Sequence, residues 1–458
     1  MTINSRFRSW RLASVSVLFV LLIILFSAAG LGIASAQSGY PPVRFAVISD
    51  PHVYDQSLGT EGPLFQQYLN SDRKLLVESV EILETVVSQL CDEDLDFVIV
   101  TGDLTKDGER VNHEACASIL GRFVEKGIDV YVVPGNHDIL NSYAVSFTAD
   151  GVEPVESVTP EEFAEIYAKM GYGQAVVRDA ASLSYVVEPV PGLWLVAMDA
   201  CRYRENQPGN PSLVDGRFSE ETLRWLDSVM SLAVASGKSL LGFMHHGILE
   251  HYNRQQKYYG EYLVDDWEVI AERFAASGMK AVFTGHYHSQ DIVRRKFTTE
   301  VGGPRRNVFV FDIETGSLVT YPCPYRIVEI TEDQVMRVRS AFVESIPSRP
   351  DDFQDYVREY VHKGITGIAY SVLRKYRVDD RSARILAPQV ADAFVAHYRG
   401  DEVAPKVLID TSGAGLWAKL VVWVQRGLIH GLWNDLEPPD NNVDIDLLTG
   451  EWSVPAGR

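Results

Sequence analysis

The chain has 458 residues, of which 46% are hydrophobic and 23% charged, proportions that are ordinary for a globular protein and exclude global disorder. Its length is typical of two or three domains. The formal net charge is −20, because 62 acidic residues outnumber 42 lysines and arginines. Such an acidic surface repels polyanions and excludes long nucleic acid as the main partner. A small phosphate ester remains a suitable substrate, because bound cations reverse the charge of a site locally.

The amino terminus has the pattern of an export signal. Three arginines precede an uncharged, nearly all-apolar run over residues 12–33, and Ala34-Ser35-Ala36 then matches a signal peptidase site. We expect residues 1–36 to be removed and the mature protein to be exported, either to the periplasm or out of the cell. The alternative is a retained membrane anchor at residues 12–33, since this run is long enough to span a bilayer. A membrane is expected as a partner only through that segment, and no oligomeric state is predicted.

The first predicted elements alternate between strands and helices. Short apolar runs predict the strands, and apolar residues at helical spacing predict the helices between them. In chain order these elements are a strand at 43–49, a helix at 72–90, a strand at 97–100, a helix at 109–126 and a strand at 130–133. The alternation is typical of a mainly parallel sheet covered by helices, so we predict an α/β fold.

The rest of the chain divides into an irregular middle and a helical tail. The middle is predicted to contain helices at 160–170, 219–235 and 263–276, strands at 183–187, 193–198, 240–244 and 281–284, and a hairpin of 308–313 with 318–321 around Thr315-Gly316. Residues 345–350 have the composition of a linker, and stretches of helical period follow at 353–376, 383–398 and 416–433. We therefore predict a main domain over residues 37–345 and a smaller helical domain over residues 346–458.

Five short polar motifs follow the predicted strands directly or closely. Each contains Asp, Asn or His, side chains that bind transition metals without any thiolate. In chain order the motifs are Asp50-Pro51-His52, Gly102-Asp103, Gly135-Asn136-His137-Asp138, His245-His246 and Gly285-His286-Tyr287-His288. The carboxyl ends of parallel strands lie along one edge of a sheet, where ligands bind, so we expect the motifs to converge there.

The sequence around these motifs suits metal binding. Pro51 is expected to keep Asp50 extended, which places His52 on the same side two residues later. In three of the motifs a glycine precedes a candidate ligand, where it permits a sharp turn and close approach of the backbone. Taken singly, Asp50-x-His52 and Gly102-Asp103 are also typical of ordinary turns, and His245-His246 of surface histidines. Their joint occurrence at strand ends favours a metal site.

Together the motifs resemble those of the calcineurin-like metallophosphoesterase superfamily, whose pattern is D-x-H, G-D, G-N-H-D/E, H and G-H-x-H. The resemblance covers about residues 43–330 and implies a four-layer α/β/β/α sandwich as the catalytic domain, with a site for two metal ions at the strand ends. It implies that one ion is held by Asp50, His52 and His288 and the other by Asn136, His245 and His286. Asp103 would bridge the two ions.

The resemblance also implies roles for residues beside the metals. His137 would lie close to the substrate, where it stabilises charge or protonates the leaving oxygen, and Asp138 would orient it. Gly247 stands where the family often has proline, and alignment on that position favours His245 over His246 as the ligand. The ligand set accepts Mn, Fe, Zn or Ni, and the sequence does not choose between them. The implied reaction is attack of a metal-bound hydroxide on the phosphorus of a phosphate ester.

A second resemblance concerns the substrate. The string Asp312-Ile313-Glu314-Thr315-Gly316-Ser317-Leu318, the following Tyr325-Arg326 and the helical tail are similar to a group of bacterial cyclic-nucleotide phosphodiesterases of this superfamily. This similarity implies a small phosphodiester substrate, such as a cyclic nucleotide. An equal interpretation is that the string is only a turn and the tail only a structural cap. The alternatives in function are a phosphomonoesterase or nucleotidase on the same site, and a metal-bearing binding protein that has lost catalysis.

Overall fold

The computed structural model describes residues 39–70, 72–149, 151–300 and 304–455. The predicted signal peptide at residues 1–36, with the alternative anchor at residues 12–33, lies outside the described residues. Among the helices within these ranges, none combines the length and the apolar character that crossing a bilayer requires.

Strands and helices alternate through the first part of the chain, as the sequence predicted. The strands of the described residues are β1 Val43–Ile48, β2 Phe97–Val100, β3 Asp129–Val132, β4 Val145–Phe147, β5 Val152–Pro154, β6 Val177–Arg178, β7 Tyr185–Val190, β8 Leu193–Met198, β9 Ser239–Met244, β10 Ala281–Thr284, β11 Asp291–Thr299, β12 Arg306–Glu314, β13 Pro324–Ile330, β14 Val335–Phe342, β15 Asn442–Asp446 and β16 Trp452–Ser453. The α-helices are α1 Pro63–Asn70, α2 Ser79–Leu90, α3 Arg110–Glu125, α4 Pro160–Ile166, α5 Glu220–Ala235, α6 Gln255–Tyr259, α7 Trp267–Ser277, α8 Phe353–Lys375, α9 Asp380–Arg399 and α10 Leu416–Leu432.

Two seven-stranded sheets lie at the centre of the molecule. The first has the strand order β16-β15-β14-β13-β1-β2-β3, and the second has the order β11-β12-β10-β9-β8-β7-β6. Each contains a parallel block, β1 to β3 in the first sheet and β8, β9, β10 and β12 in the second. The predicted motifs follow strands of these parallel blocks, which places them at the carboxyl edges of the sheets.

Strand β8 shows how the layers are stacked. Leu193, Leu195 and Ala197 belong to a core that also contains side chains of the first sheet, whereas the residues between them pack with α5 and α7. Such alternation means that both faces of the second sheet are covered. Side chains of α2 and α3 join the core of the first sheet. The order of layers is therefore helices, sheet, sheet and helices, which confirms the predicted four-layer α/β/β/α fold.

Several predicted elements differ from the structure, and the two differences nearest the motifs are a turn and a helix start. Residues 318–321 form a turn, so the predicted hairpin around Thr315-Gly316 is wrong, and β12 pairs instead with β10 and β11. The backbone N–H of Leu318 donates to the carbonyl of Ser49, which ties this turn to the end of β1. The predicted helix at 72–90 begins only at Ser79, and residues 72–78 form an irregular segment that contains Lys74.

The carboxyl-terminal part of the chain consists of three helices and a return to the first sheet. Helices α8, α9 and α10 occupy the three predicted helical stretches and share a small apolar core. Strands β15 and β16 then extend the first sheet beyond β14. The tail predicted as helical over residues 346–458 is thus helical only as far as Leu432, because its last strands complete a sheet of the main domain.

Candidate metal centre

Side chains from the predicted motifs meet in two adjacent groups. The first consists of Asp50, His52, Asp103 and His288, and the second of Asp103, His245 and His286. Within each group the candidate ligand atoms lie within 4.8 Å of one another. Asp103 belongs to both groups, since its Oδ2 lies 3.6 Å from His52 Nε2 and 3.5 Å from His245 Nε2. The structure therefore brings these predicted ligands together, with Asp103 where a bridging carboxylate is needed.

Asn136 joins the second group, and only one residue of the His245-His246 pair does. The Oδ1 atom of Asn136 lies 3.2 Å from His245 Nε2, so the amide oxygen faces the same space as Asp103. His246 lies behind this space, with its Nε2 2.9 Å from the carbonyl of Val214. The structure thus places His245, and not His246, beside Asp103.

Backbone carbonyl groups fix the orientation of three histidines. The distances are 3.3 Å from His52 Nδ1 to Thr105 O, 2.9 Å from His245 Nδ1 to Thr101 O, and 3.1 Å from His286 Nε2 to Val214 O. When one ring N–H donates to a carbonyl, the other nitrogen keeps its lone pair for the centre of the group. Burial also lowers the pKa of His52 and of His286, which keeps both rings in the neutral form that binds metals.

The first group contains buried atoms that a cation would satisfy. Asp50 Oδ1 is buried and accepts no hydrogen bond from the described residues, and it lies 3.3 Å from His288 Nε2. His52 Nε2 and His288 Nε2 are also 3.3 Å apart. A buried carboxylate oxygen without a donor costs free energy, so this arrangement is unfavourable unless a cation lies between the three side chains. The donor set of carboxylates, imidazoles and one amide oxygen fits two metal ions.

Backbone strain is concentrated at the candidate ligands. Positive φ angles between 38° and 77° occur at Asp50, His52, Asp103, His286 and His288. Residues other than glycine rarely adopt this conformation, and each instance costs about 1–3 kcal/mol. Asp50 is therefore not extended as the sequence predicted from Pro51, because the chain turns sharply where β1 ends. Strain of this kind is typical of functional sites.

Two glycines let the loops pack closely around the ligands. A Cβ atom added to Gly135 would lie 2.1 Å from Asp103 Oδ1, and one added to Gly285 would lie 2.5 Å from Asp50 Oδ2. Both distances are far shorter than van der Waals contact, so a side chain at either position would displace a ligand. This confirms the predicted role of these glycines in close backbone approach.

His137 lies at the open side of the two groups. Its side chain is 26% exposed, whereas the seven candidate ligands are buried. Its backbone N–H donates to Asp103 Oδ1 at 3.0 Å, and its Nδ1 lies 2.8 Å from Asp107 Oδ1. Burial and Lys74 oppose protonation, but Asp103 and Asp107 raise the pKa of His137 above its ordinary value. An accessible imidazole of this kind holds the proton that a leaving oxygen needs.

The carboxylate beside the imidazole of His137 is Asp107, and not Asp138 as the resemblance implied. Asp138 is fully buried, and its two oxygens accept backbone N–H groups from Leu104, Thr105 and Gly135 at 2.8–3.0 Å. The Thr105 hydroxyl donates to it as well, at 2.9 Å. Its hydrogen-bonding capacity is used in holding the loop after β3 against the loop after β2.

Lys106 and Glu109 hold Asp107 in place. Lys106 Nζ contacts Asp107 and lies 3.2 Å from Glu109 Oε1, and all three side chains are buried. Burial opposes ionisation, but Lys106 and His137 lower the pKa of Asp107 to about 2. Asp107 was not predicted as a site residue. The sequence does contain a signal for Asp107, which is the cluster of charged residues just after Gly102-Asp103. Buried charge in a loop at a strand end is typical of functional sites.

Asp138→Asn is expected to lower the free energy of unfolding by about 3 kcal/mol. The new amide NH₂ group would face backbone N–H groups, so two hydrogen bonds worth about 1–3 kcal/mol each are lost. Denaturant unfolding followed by circular dichroism measures this change. Asp351→Asn alters an exposed carboxylate and serves as the control. Unchanged stability with a large loss of turnover would instead restore Asp138 as the residue that orients His137.

A third group of carboxylates, Asp401, Asp435 and Asp440, lies near the end of α9 and the start of β15. Two of its members are exposed, and it shares no residue with the other two groups. It therefore serves as an internal comparison in experiments on metal binding.

The fold and the two groups that share Asp103 define a class of hydrolases with two metal ions at the strand ends of an α/β sandwich. Residues 43–290, more than half of the chain, match the family model of the calcineurin-like phosphoesterases, and the protein belongs to this family. The matched range contains all five motifs.

The solved structures that are similar to this chain include two phosphatases. A dimetal phosphatase from Danio rerio is 18% identical and has a TM-score of 0.44, and the match covers 66% of this chain and 97% of that one. A purple acid phosphatase from seeds of yellow lupin (Lupinus luteus) is 9% identical and has a TM-score of 0.38, with 68% of this chain and 52% of that one covered. No curated protein sequence matches the chain significantly.

Proposed function

We propose that this protein is an exported phosphodiesterase that hydrolyses small phosphodiesters with two metal ions. Family membership supports the metal-dependent hydrolysis of a phosphate ester. The choice of a diester depends on the charges around His137. Lys74 Nζ lies 3.6 Å from Asp72, and Lys106 pairs with Asp107, so the positive charge that these lysines bring is already balanced. A phosphodiester carries one negative charge and needs fewer cations than a dianionic monoester.

The proposed roles follow from the two groups. Asp50, His52 and His288 would hold one ion, Asn136, His245 and His286 the other, and Asp103 both. Bound ions of this kind lower the pKa of a water molecule and stabilise charge on phosphoryl oxygens. His137 would donate its proton to the leaving oxygen, while Asp107 holds the imidazole in position and stabilises its charged form.

The string over residues 312–318 supports the metal centre and does not by itself select a cyclic nucleotide. Asp312 Oδ2 accepts the backbone N–H groups of Ile248 and Leu249 at 2.6 and 3.0 Å. Glu314 Oε1 accepts the backbone N–H of Ser289 at 3.1 Å. These bonds position the loops that follow His245 and His288, so cyclic nucleotides remain one candidate among several diesters. The export in this proposal depends on the signal pattern of residues 1–36.

The ratio of turnover on bis-p-nitrophenyl phosphate to turnover on p-nitrophenyl phosphate tests the proposal. The mature chain from Gln37 would be assayed with Mn²⁺, Fe²⁺ or Zn²⁺ and with chelator. We expect faster turnover of the diester and loss of both activities in chelator. Faster turnover of the monoester would replace the proposal with a phosphomonoesterase or nucleotidase. No turnover with both metals bound would leave a metal-bearing binding protein.

A further inference from the structure

A cavity of about 330 Å³ lies between the carboxyl-terminal helices and the segment around α6, and we call it the tyrosine cavity. Its wall on α8, α9 and α10 is mainly aliphatic and includes Ala369, Leu373, Val390 and Val421. The facing wall contains Tyr258, Tyr259, Tyr262 and Tyr287. The volume is within the range of small-molecule binding sites.

One wall of the tyrosine cavity contacts the metal centre. The ring of Tyr262 packs on the ring of His286 with their centroids 4.5 Å apart, and Tyr287 stands between His286 and His288 in the chain. Arg73 also lines the cavity. Arg73 is close enough to the metal centre for its charge to act on His288. A group that fills the cavity would therefore lie beside a phosphate bound at the metals.

Arg73 is the cationic side chain of the cavity lining. Its Nε atom is buried and has no hydrogen-bond partner among the described residues. A buried donor without an acceptor is unfavourable, and an oxygen of a bound phosphodiester would satisfy it. A single guanidinium in a lining that is otherwise mainly aliphatic and aromatic fits an amphiphilic ligand whose polar part faces the metal centre.

The lining favours an alkyl chain over a nucleobase. The tyrosine rings pack against one another edge to face, with interplanar angles of 86° for Tyr262 with Tyr287 and 66° for Tyr259 with Tyr287. They do not form the flat platform on which a base stacks. More than half of the lining residues are aliphatic, and this apolar surface matches an alkyl chain better than the polar edge of a base.

The mouth of the cavity opens beside an apolar surface. Ile368 and Val372, which line it on α8, are 37% and 42% exposed, and neighbouring α10 exposes Trp423. Helix α10 has no acidic residue but carries Lys419 and Arg426, although the chain has a net charge of −20. An exposed apolar helix face with tryptophan and basic residues is typical of segments that rest on a lipid surface. An alkyl chain would enter the cavity from that side.

We propose that the tyrosine cavity binds the alkyl or acyl chain of a lipid-derived phosphodiester whose phosphate lies at the metal centre. This inference rests on the proposed function and narrows it to amphiphilic diesters. The chain fills the aliphatic part of the cavity, and Arg73 donates to an oxygen of the phosphate.

Binding of dodecylphosphocholine, compared with glycerophosphocholine, tests the inference without depending on turnover. Both are phosphodiesters with the same headgroup, but only the first has an alkyl chain. Calorimetric titration below the micelle concentration would use the mature protein as purified and again after metal removal. We expect dodecylphosphocholine to bind at least about tenfold more tightly. Val372→Glu at the mouth and Ala369→Trp within the cavity should each weaken its binding about tenfold or more.

Val269→Glu is the matched control, because Val269 is an exposed valine on α7 and lies outside the cavity lining. It should leave the affinity unchanged. The inference would be overturned if dodecylphosphocholine bound no more tightly than glycerophosphocholine, or if Val372→Glu bound it as well as the wild type. If cyclic AMP competes with dodecylphosphocholine in the wild type but not in Val372→Glu, the cavity would be assigned to a nucleoside instead. Release of phosphocholine is measured separately. If binding depends on the alkyl chain but no phosphocholine is released, the result would contradict the proposed function and support this inference.

Discussion

Asp103→Asn is expected to lower metal binding at both groups and to reduce turnover by about a thousandfold. Its carboxylate lies 3.6 Å from His52 Nε2 and 3.5 Å from His245 Nε2, so one substitution removes a negative charge from two sites. A loss of about 4 kcal/mol of transition-state stabilisation corresponds to that factor. Metal content by emission spectroscopy and kcat on bis-p-nitrophenyl phosphate would be measured on the same preparation.

Asp435→Asn makes the same chemical change in the third group of carboxylates and is the control. We expect its metal content and kcat to match those of the wild type. Two ions per chain retained in Asp103→Asn would show that Asp103 does not bridge the groups. Loss of an ion in Asp435→Asn would place one of the metals in the third group.

His137→Ala is expected to lower kcat by about 10²–10⁴-fold while both metal ions stay bound, because it removes a proton donor and no ligand. The contact of His137 Nδ1 with Asp107 Oδ1 at 2.8 Å supports its role as the donor. Metal content and kcat on bis-p-nitrophenyl phosphate separate this effect from loss of a ligand.

His430→Ala removes an exposed histidine on α10 and should change neither quantity. An emptied metal site in His137→Ala would make His137 a ligand and require a different assignment. A kcat close to that of the wild type with both ions bound would show that another group supplies the proton.

Much of the fold could be predicted from local signals. Strand β2, Phe97–Val100, is buried on both faces and therefore appears in the sequence as an unbroken apolar run. Ser219, the first residue of the helix predicted at 219–235, caps α5, and its hydroxyl accepts the backbone N–H of Thr222 at 3.0 Å. Gly278 lies just beyond the helix predicted at 263–276, and α7 ends at this glycine, which has a positive φ angle of 91°. Signals of this kind depend on a few neighbouring residues.

The predicted hairpin failed because strand pairing is not local. Thr315-Gly316 is a turn signal, but β12 finds its partners in β10 and β11. Strand β11 was not predicted, because its Arg294-Arg295-Lys296 segment interrupts the apolar pattern of a strand that is only partly buried. Strand β15 pairs with β14 of the first sheet after the three helices of the tail, and local sequence patterns do not indicate this pairing either.

Within the site, the candidate ligands could be predicted and the support of His137 could not. The ligands follow strands whose carboxyl ends share an edge, so topology brings them together. The partner of His137 depends on how two loops meet. Asp138 is adjacent in sequence, but its oxygens are used by backbone N–H groups, whereas Asp107 reaches the imidazole from another loop.

A crystal structure of the Mn²⁺-loaded mature protein, with anomalous scattering recorded for manganese, tests the central claim most directly. We expect two anomalous peaks about 3.5–4 Å apart, both within bonding distance of Asp103. One peak should adjoin Asp50, His52 and His288, and the other Asn136, His245 and His286. A single peak, or peaks at Asp401, Asp435 and Asp440 with none beside Asp103, would contradict a two-metal phosphoesterase site.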